Sequence, residues 1–178
     1  LEKTSFDKLA SDIHKRLTDE YSFLSEWTVN FDNAKRRAGI CRADKKEISI
    51  SLCHINNNAQ DVVLDTLLHE FAHAIAHELY GEIGHGAKWK SVALKLGATP
   101  KATGKFSMPA APWKLVTYCK ESKTVDVVAS RYRKNKNIKY YYVKGKPNTQ
   151  GELYYLCTKQ LEKFETGMIG FAQLNFIQ

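Results

Sequence analysis

The chain has 178 residues, 43% of them hydrophobic, and 27 lysines and arginines against 19 aspartates and glutamates give it a net charge of +8. That length can bury a core in one compact domain and add a small appendage. No run of 18 or more apolar residues offers a membrane span, and the four cysteines (Cys41, Cys53, Cys119, Cys157) are too few and too scattered for a disulfide-dense scaffold.

In chain order, Phe6, Leu9, Ile13 and Leu17 recur at helical spacing and predict an amphipathic helix over residues 4–20. Thr4 or Ser5 is the expected cap, and His14 and Lys15 are expected in solvent. Residues 27–31 alternate and read as a strand. Two more strands are predicted at 38–42 and 47–52, joined as a hairpin by the turn Ala43-Asp44-Lys45-Lys46, with Ile48, Ile50 and Leu52 on one face. Cys41 and Cys53 fall in or beside these strands as small packing residues. His54 lies just past them, a weak candidate for approaching a metal.

A long helix follows over 59–79, with the cluster Asn56-Asn57-Asn58 as its expected cap. It carries His69-Glu70-Phe71-Ala72-His73, the H-E-x-x-H pattern. Residues four apart share a helical face, so His69 and His73 can aim two imidazoles at one ion, while Glu70 can take a proton from a water that the ion activates. A catalytic zinc site usually has three protein ligands, and His85 in Gly84-His85-Gly86 is placed to be the third. His77 stands near the helix end and Gly81 is suited to terminate the helix in a left-handed conformation. A further helix is predicted over 87–96, with Trp89 bracing His85. His77, Tyr80 and Lys88 are candidates for stabilising an oxyanion.

Residues 97–112 shift to Gly, Ala, Pro, Lys and Thr, a linker or surface loop. Beyond it the sequence predicts strands at 113–119, 125–132, 138–143 and 152–157, and a further one at 169–176. This is a small antiparallel unit. The fold class expected is α+β, with a domain at 1–100, a linker at 101–112 and a β module at 113–178.

The string Leu68-His69-Glu70-Phe71-Ala72-His73 together with Gly84-His85-Gly86-x-x-Trp89 resembles the SprT-like (Spartan-like) metalloprotease family, over roughly residues 5–100. The resemblance implies a zincin-like protease domain, one Zn2+ bound by His69, His73 and His85, and Glu70 activating water. Many members carry a zinc ribbon with two Y-x-C-x-x-C knuckles. Here Tyr118-Cys119-Lys120-Glu121-Ser122 and Tyr155-Leu156-Cys157-Thr158-Lys159-Gln160 keep one thiolate each, so a ribbon-like module without metal is expected. A Cys119–Cys157 disulfide is conceivable if the knuckles face each other, although a reducing intracellular setting (cytoplasm, nucleoid or nucleus) disfavours it.

Residues 131–146 hold seven basic residues, no acidic one and four interleaved tyrosines. Arg131, Tyr132, Arg133, Lys134, Lys136, Lys139, Lys144 and Lys146 can neutralise phosphates and stack on unpaired bases, or form a solvated hairpin tip with tyrosines alternating between core and surface. The resemblance favours DNA, because Spartan-like proteases act on proteins attached to it. The expected function is a zinc endopeptidase acting on DNA-bound or DNA-crosslinked proteins, with no membrane partner. Two alternatives stand: a nucleic-acid-binding protein with a structural or vestigial zinc site, and another H-E-x-x-H peptidase that cleaves a regulatory protein.

Overall fold

Phe6, Ala10, Ile13 and Leu17 recur every three or four residues. In the computed structural model, which describes residues 3–178, they form the buried face of the first helix, α1 (Lys3–Glu20). Thr4 and Ser5 fall inside that helix instead of capping it. His14 does not face solvent as expected: its Nε2 is 2.9 Å from the Leu24 carbonyl oxygen and its ring packs 5.7 Å from Phe71.

Three short strands follow, β1 (Thr28–Asp32), β2 (Gly39–Arg42) and β3 (Glu47–Ser51). The expected hairpin forms, with Gly39 opposite Ile50 and Arg42 opposite Glu47, and Lys46 makes its turn in the left-handed region at φ 48°. β1 then pairs with β3 in parallel, Thr28 opposite Glu47, so the order is β1-β3-β2. As the central strand, β3 is covered on both faces, and Ile48, Ser49, Ile50 and Ser51 are all buried. β2 is an edge strand. The third strand stops at Ser51, one residue before its predicted end, because the Ser51 hydroxyl accepts from the backbone N–H groups of Cys53 and His54 and caps a short helix, α2 (Leu52–Asn57).

The long helix, α3 (Gln60–Tyr80), begins at Ala59 without a side-chain cap, so the predicted asparagine cap is not made. Asn58 is used elsewhere: its amide donates to His54 and to the Ser107 carbonyl, and its oxygen accepts from the Ser107 N–H at 2.7 Å. Val63, Leu67, Phe71 and Ile75 are wholly buried along α3, each large side chain contributing about 1.5–3 kcal/mol of burial. Gly81 ends the helix at φ 66°, and α4 (Ala87–Leu96) follows with Trp89, Val92 and Ala93 inward. The chain divides into two compact units, Leu1–Pro109 and Ala110–Gln178, and the boundary falls within the expected linker at 101–112. Among the described residues no helix is long and apolar enough to cross a membrane.

The second unit is a three-stranded antiparallel sheet of β4 (Trp113–Cys119), β5 (Thr124–Arg131) and β6 (Tyr154–Cys157), with β4 central. Leu115, Ile138, Leu153 and Tyr155 form one small core; Val116, Leu156, Leu161 and Leu174 form another. Two predicted strands are absent. Residues 138–143 hold a single 3-10 turn at Ile138–Tyr140, and residues 169–176 hold another at Phe171–Gln173. The second knuckle is not a knuckle either, since Thr158 and Gln160 open a helix, α5 (Thr158–Glu165). Cys157 pairs with Trp113 at one end of β4 and Cys119 stands at the other, six residues on, a separation of about 20 Å that no disulfide spans. Aromatic side chains gather beside the sheet, where Tyr118 stacks on Phe176 at 4.1 Å.

Candidate metal centre

Helical geometry alone brings His69 and His73 onto one face of α3, and the chain reversal after Gly81 returns His85 to them. The Nε2 atoms of His73 and His85 are 3.0 Å apart, and those of His85 and His69 are 3.1 Å apart. Protons cannot satisfy this triangle. Each neutral imidazole nitrogen either donates or accepts, so His85 Nε2 can make only one of its two contacts as a hydrogen bond. One cation satisfies all three lone pairs together. Nitrogens held about 2.0–2.1 Å from a tetrahedral ion lie about 3.3 Å apart, close to the spacing seen. The three histidines form the one group able to hold a metal ion among the described residues.

Burial keeps these rings ready as ligands. It lowers His69 to about 4, helped by His85, and lowers His73 to about 4, helped by both other histidines. His85 is lowered in the same direction, by burial first and then by Lys90. All three are therefore neutral, with lone pairs free, near pH 7. Trp89 closes the back of the cluster, its ring 4.7 Å from His69, 5.2 Å from His73 and 4.4 Å from His85.

Glu70 is 7% exposed, on the sheet side of the same helix turn. Burial pushes its carboxyl up to about 7, opposed by the charge of Arg37 and by the backbone N–H of Cys41, which donates to it. Room for this carboxylate exists because position 39 is glycine: a Cβ there would lie 2.8 Å from Glu70 Oε1. Two cavities of about 380 Å³ each flank His69 and Glu70 and share Gly39 and Ala102, making one groove across the motif. β2 walls one side of it. Thr99 to Phe106 supplies part of the other, fastened by Asn58–Ser107 and by Asp65, which accepts from the Thr99 N–H at 2.7 Å.

Of the other residues singled out in the sequence, His77 lines this groove, with its Nδ1 buried and unpaired. Tyr80 and Lys88 turn toward one another instead, the ammonium 5.0 Å from the ring centroid. His54 is not a ligand. It is wholly buried, with Nδ1 3.0 Å from the Asn58 amide nitrogen and Nε2 3.0 Å from the Thr66 hydroxyl. Its ring also meets Phe106 edge-on at 5.2 Å. Gly39, Arg37 and Glu82 join the site without any motif to mark them. An acid shortly upstream of a helix whose own cap is glycine is a usable signal for Glu82; the other two depend on long-range contacts.

The basic stretch leaves β5 at Arg131, and Arg133, Lys134, Lys136, Lys139, Lys144 and Lys146 are all exposed or partly so. Its tyrosines do not alternate. Tyr140, Tyr141 and Tyr142 are exposed in succession and only Ile138 is buried. A cavity of about 430 Å³ lies here, lined by Arg131, Arg133, Tyr141, Tyr142 and Lys144 over an apolar floor that includes Leu115 and Leu153. Lys134 sits 4.5 Å over the ring of Trp113, while Tyr132 is half-buried.

Residues 7–109 match the model of the SprT-like family. The chain is 26% identical over 77 residues to Protein SprT of Glaesserella parasuis serovar 5, covering 43% of this chain and 49% of that protein. To Protein SprT of Pseudomonas putida strain GB-1 it is 29% identical over 66 residues, or 36% and 40% of the two chains. It thus spans half or less of the length of these curated relatives, and no solved structure matches it. The family match covers more than half of the chain and takes in the sheet, the motif helix and the third histidine, and this protein belongs to the SprT-like family.

Proposed function

We propose that this protein is a zinc-dependent endopeptidase whose substrates are proteins bound or crosslinked to DNA. The observation that carries the reading is the half-buried triangle of His69, His73 and His85 with the Glu70 carboxylate beside it in an open groove. A structural site needs no such glutamate. Three histidines with an open position are a catalytic zinc set, and His69, His73 and His85 would hold the ion. When bound, zinc supplies Lewis acidity that polarises a scissile carbonyl and acidifies a water molecule.

The protein's own groups do the rest. Glu70 Oε1 takes the proton of that water and hands it to the departing amine nitrogen, a role suited to a carboxyl held near neutrality by burial. β2, the outer strand of its sheet, lies along the groove, where an extended peptide can add as a further strand and present a carbonyl to the histidines. His77 is the one of the three oxyanion candidates that lines the groove.

Support for DNA comes from the second unit, where three exposed tyrosines and the nearby Arg131, Arg133 and Lys144 suit unpaired bases and phosphates. DNA so held raises the local concentration of proteins attached to it. The alternative of a binding protein with a structural ion makes the opposite prediction in one experiment. The full chain and its Glu70→Gln variant are incubated with a DNA-binding protein, with and without single-stranded DNA and a chelator. Cleavage that DNA stimulates, the chelator abolishes and Glu70→Gln lowers by about 10²–10⁴-fold is expected. Undiminished cleavage by the variant sinks the mechanism; DNA binding without cleavage supports the alternative.

A further inference from the structure

We propose that Glu82 is the positioning residue for the third metal ligand: its carboxylate fastens the start of α4 and thereby sets where the His85 imidazole stands. The inference rests on reading His69, His73 and His85 as a metal site. His69 and His73 need no such help, because one buried helix fixes them relative to each other. His85 is different. It follows a chain reversal in which Ile83 is 81% exposed and Gly84 and Gly86 are exposed too. The backbone hydrogen bonds that bracket this stretch run from Glu82 N to Ala76 O at 3.3 Å and from Lys90 N to Gly86 O at 3.0 Å.

The helix that begins here has glycine as its N-cap residue and no acid in its first turn. Its N–H groups at the second and third positions are the ones a capping side chain normally satisfies. Glu82 satisfies them from outside the helix. Its Oε1 accepts from Trp89 N at 2.9 Å and its Oε2 from Lys88 N at 3.4 Å. The grip is thus on the backbone of Trp89, whose ring backs all three histidines. His85 is thereby spanned: Glu82 lies three residues before it and Trp89 four after.

The glycine after His85 has its reason in the same contact. A Cβ on Gly86 would lie 2.7 Å from Glu82 Oε2, 2.8 Å from Cδ and 2.9 Å from Oε1, and would push the whole carboxylate off the helix start. Gly86 has φ −74°, so space rather than backbone freedom is what it supplies. Glu82 and Gly86 are therefore coupled, and a double-mutant cycle can expose the coupling.

The test measures zinc affinity of the full chain against a competing chelator, and the visible absorption of its cobalt form, in E82A, E82Q, G86A and E82A/G86A. Folding of each is verified by circular dichroism. Loss of a partner that orients a ligand typically weakens metal binding about 10–100-fold, and that is expected for E82A, with an altered cobalt spectrum. E82Q keeps one acceptor oxygen and should recover most of the affinity. G86A should weaken binding in the wild-type background and cost little more in E82A, where the clashing carboxylate is gone. Affinity within about twofold of wild type in E82A, or an equal G86A effect in both backgrounds, overturns the proposal. If E82A does not fold, E82Q and G86A carry the test, and undiminished affinity in G86A overturns it. A wild type that takes up no zinc, or an H85A variant with undiminished affinity, overturns the metal-site reading beneath it instead.

Discussion

Gly39 and Glu70, far apart in sequence, meet backbone to side chain: a Cβ at position 39 would fall 2.8 Å from Oε1 of Glu70 and 2.9 Å from its Cγ. The β2 backbone thus approaches the proposed base closely enough for the Cys41 N–H to donate to it. Gly39→Ala should displace the carboxylate, costing about 1–3 kcal/mol in stability and on the order of 10²-fold in turnover, with zinc content unchanged. Wild-type turnover in a folded Gly39→Ala variant would show that Glu70 is not held by this contact.

Metal removal should cost stability. On the proposed reading the three half-buried imidazoles share one ion, so a chelator should lower the melting temperature, and zinc at about 1,000 times its dissociation constant should return about 4 kcal/mol. Elemental analysis of the full chain should give a single zinc. A second equivalent would place another ion in the unit that carries Cys119 and Cys157.

The pH dependence of folding carries a signature of His54. Burial lowers its value below the ordinary 6.5, so the native state favours the neutral ring. The unfolded chain then binds more protons below about pH 6.5, and stability is complete above that pH and falls as pH drops through it. His54→Gln should flatten this part of the slope in denaturant titrations of the zinc-loaded protein. An unchanged slope would assign the acid sensitivity to other groups.

For the basic stretch, Arg133→Ala with Lys134→Ala should weaken single-stranded DNA binding and reduce the salt slope by about 0.7 for each phosphate that is no longer neutralised. Tyr141→Ala should cost about 1–3 kcal/mol with a smaller change in that slope, because stacking is less sensitive to salt. Equal binding by all of these variants would remove residues 131–146 from consideration as a nucleic-acid surface.

What can be read from the sequence follows local chemistry. α4 runs over the predicted residues and α3 ends at the expected glycine, because periodicity and a left-handed cap are local signals. The same holds for β4 and for the β2–β3 hairpin. The parallel partnership of β1 with β3 is not legible, since the pairing is settled by packing and not by a turn. α2 reads as the end of a strand although Ser51, a favoured cap residue, stands at its start. α5 is hidden by a cysteine pattern that suggests a knuckle, and the tyrosine run at 140–142 suggests a strand to a rule that counts β-formers without asking which face is covered. At the site, the motif marks the candidate ligands and the proposed base. Gly39 stays silent because it matters through a contact made only in the folded chain, whereas Glu82 is marked only by its place just upstream of a glycine-capped helix.

The outer margin of β2 has a consequence for what could lie beside this protein. A partner can lie along that margin only as an extended segment whose own peptide groups are unclaimed, and a well-folded domain has few to offer. On the function proposed above, sturdy neighbours would be spared, while frayed termini, loops and partly unravelled chains would be admitted. The groove would then act as a sieve for disorder.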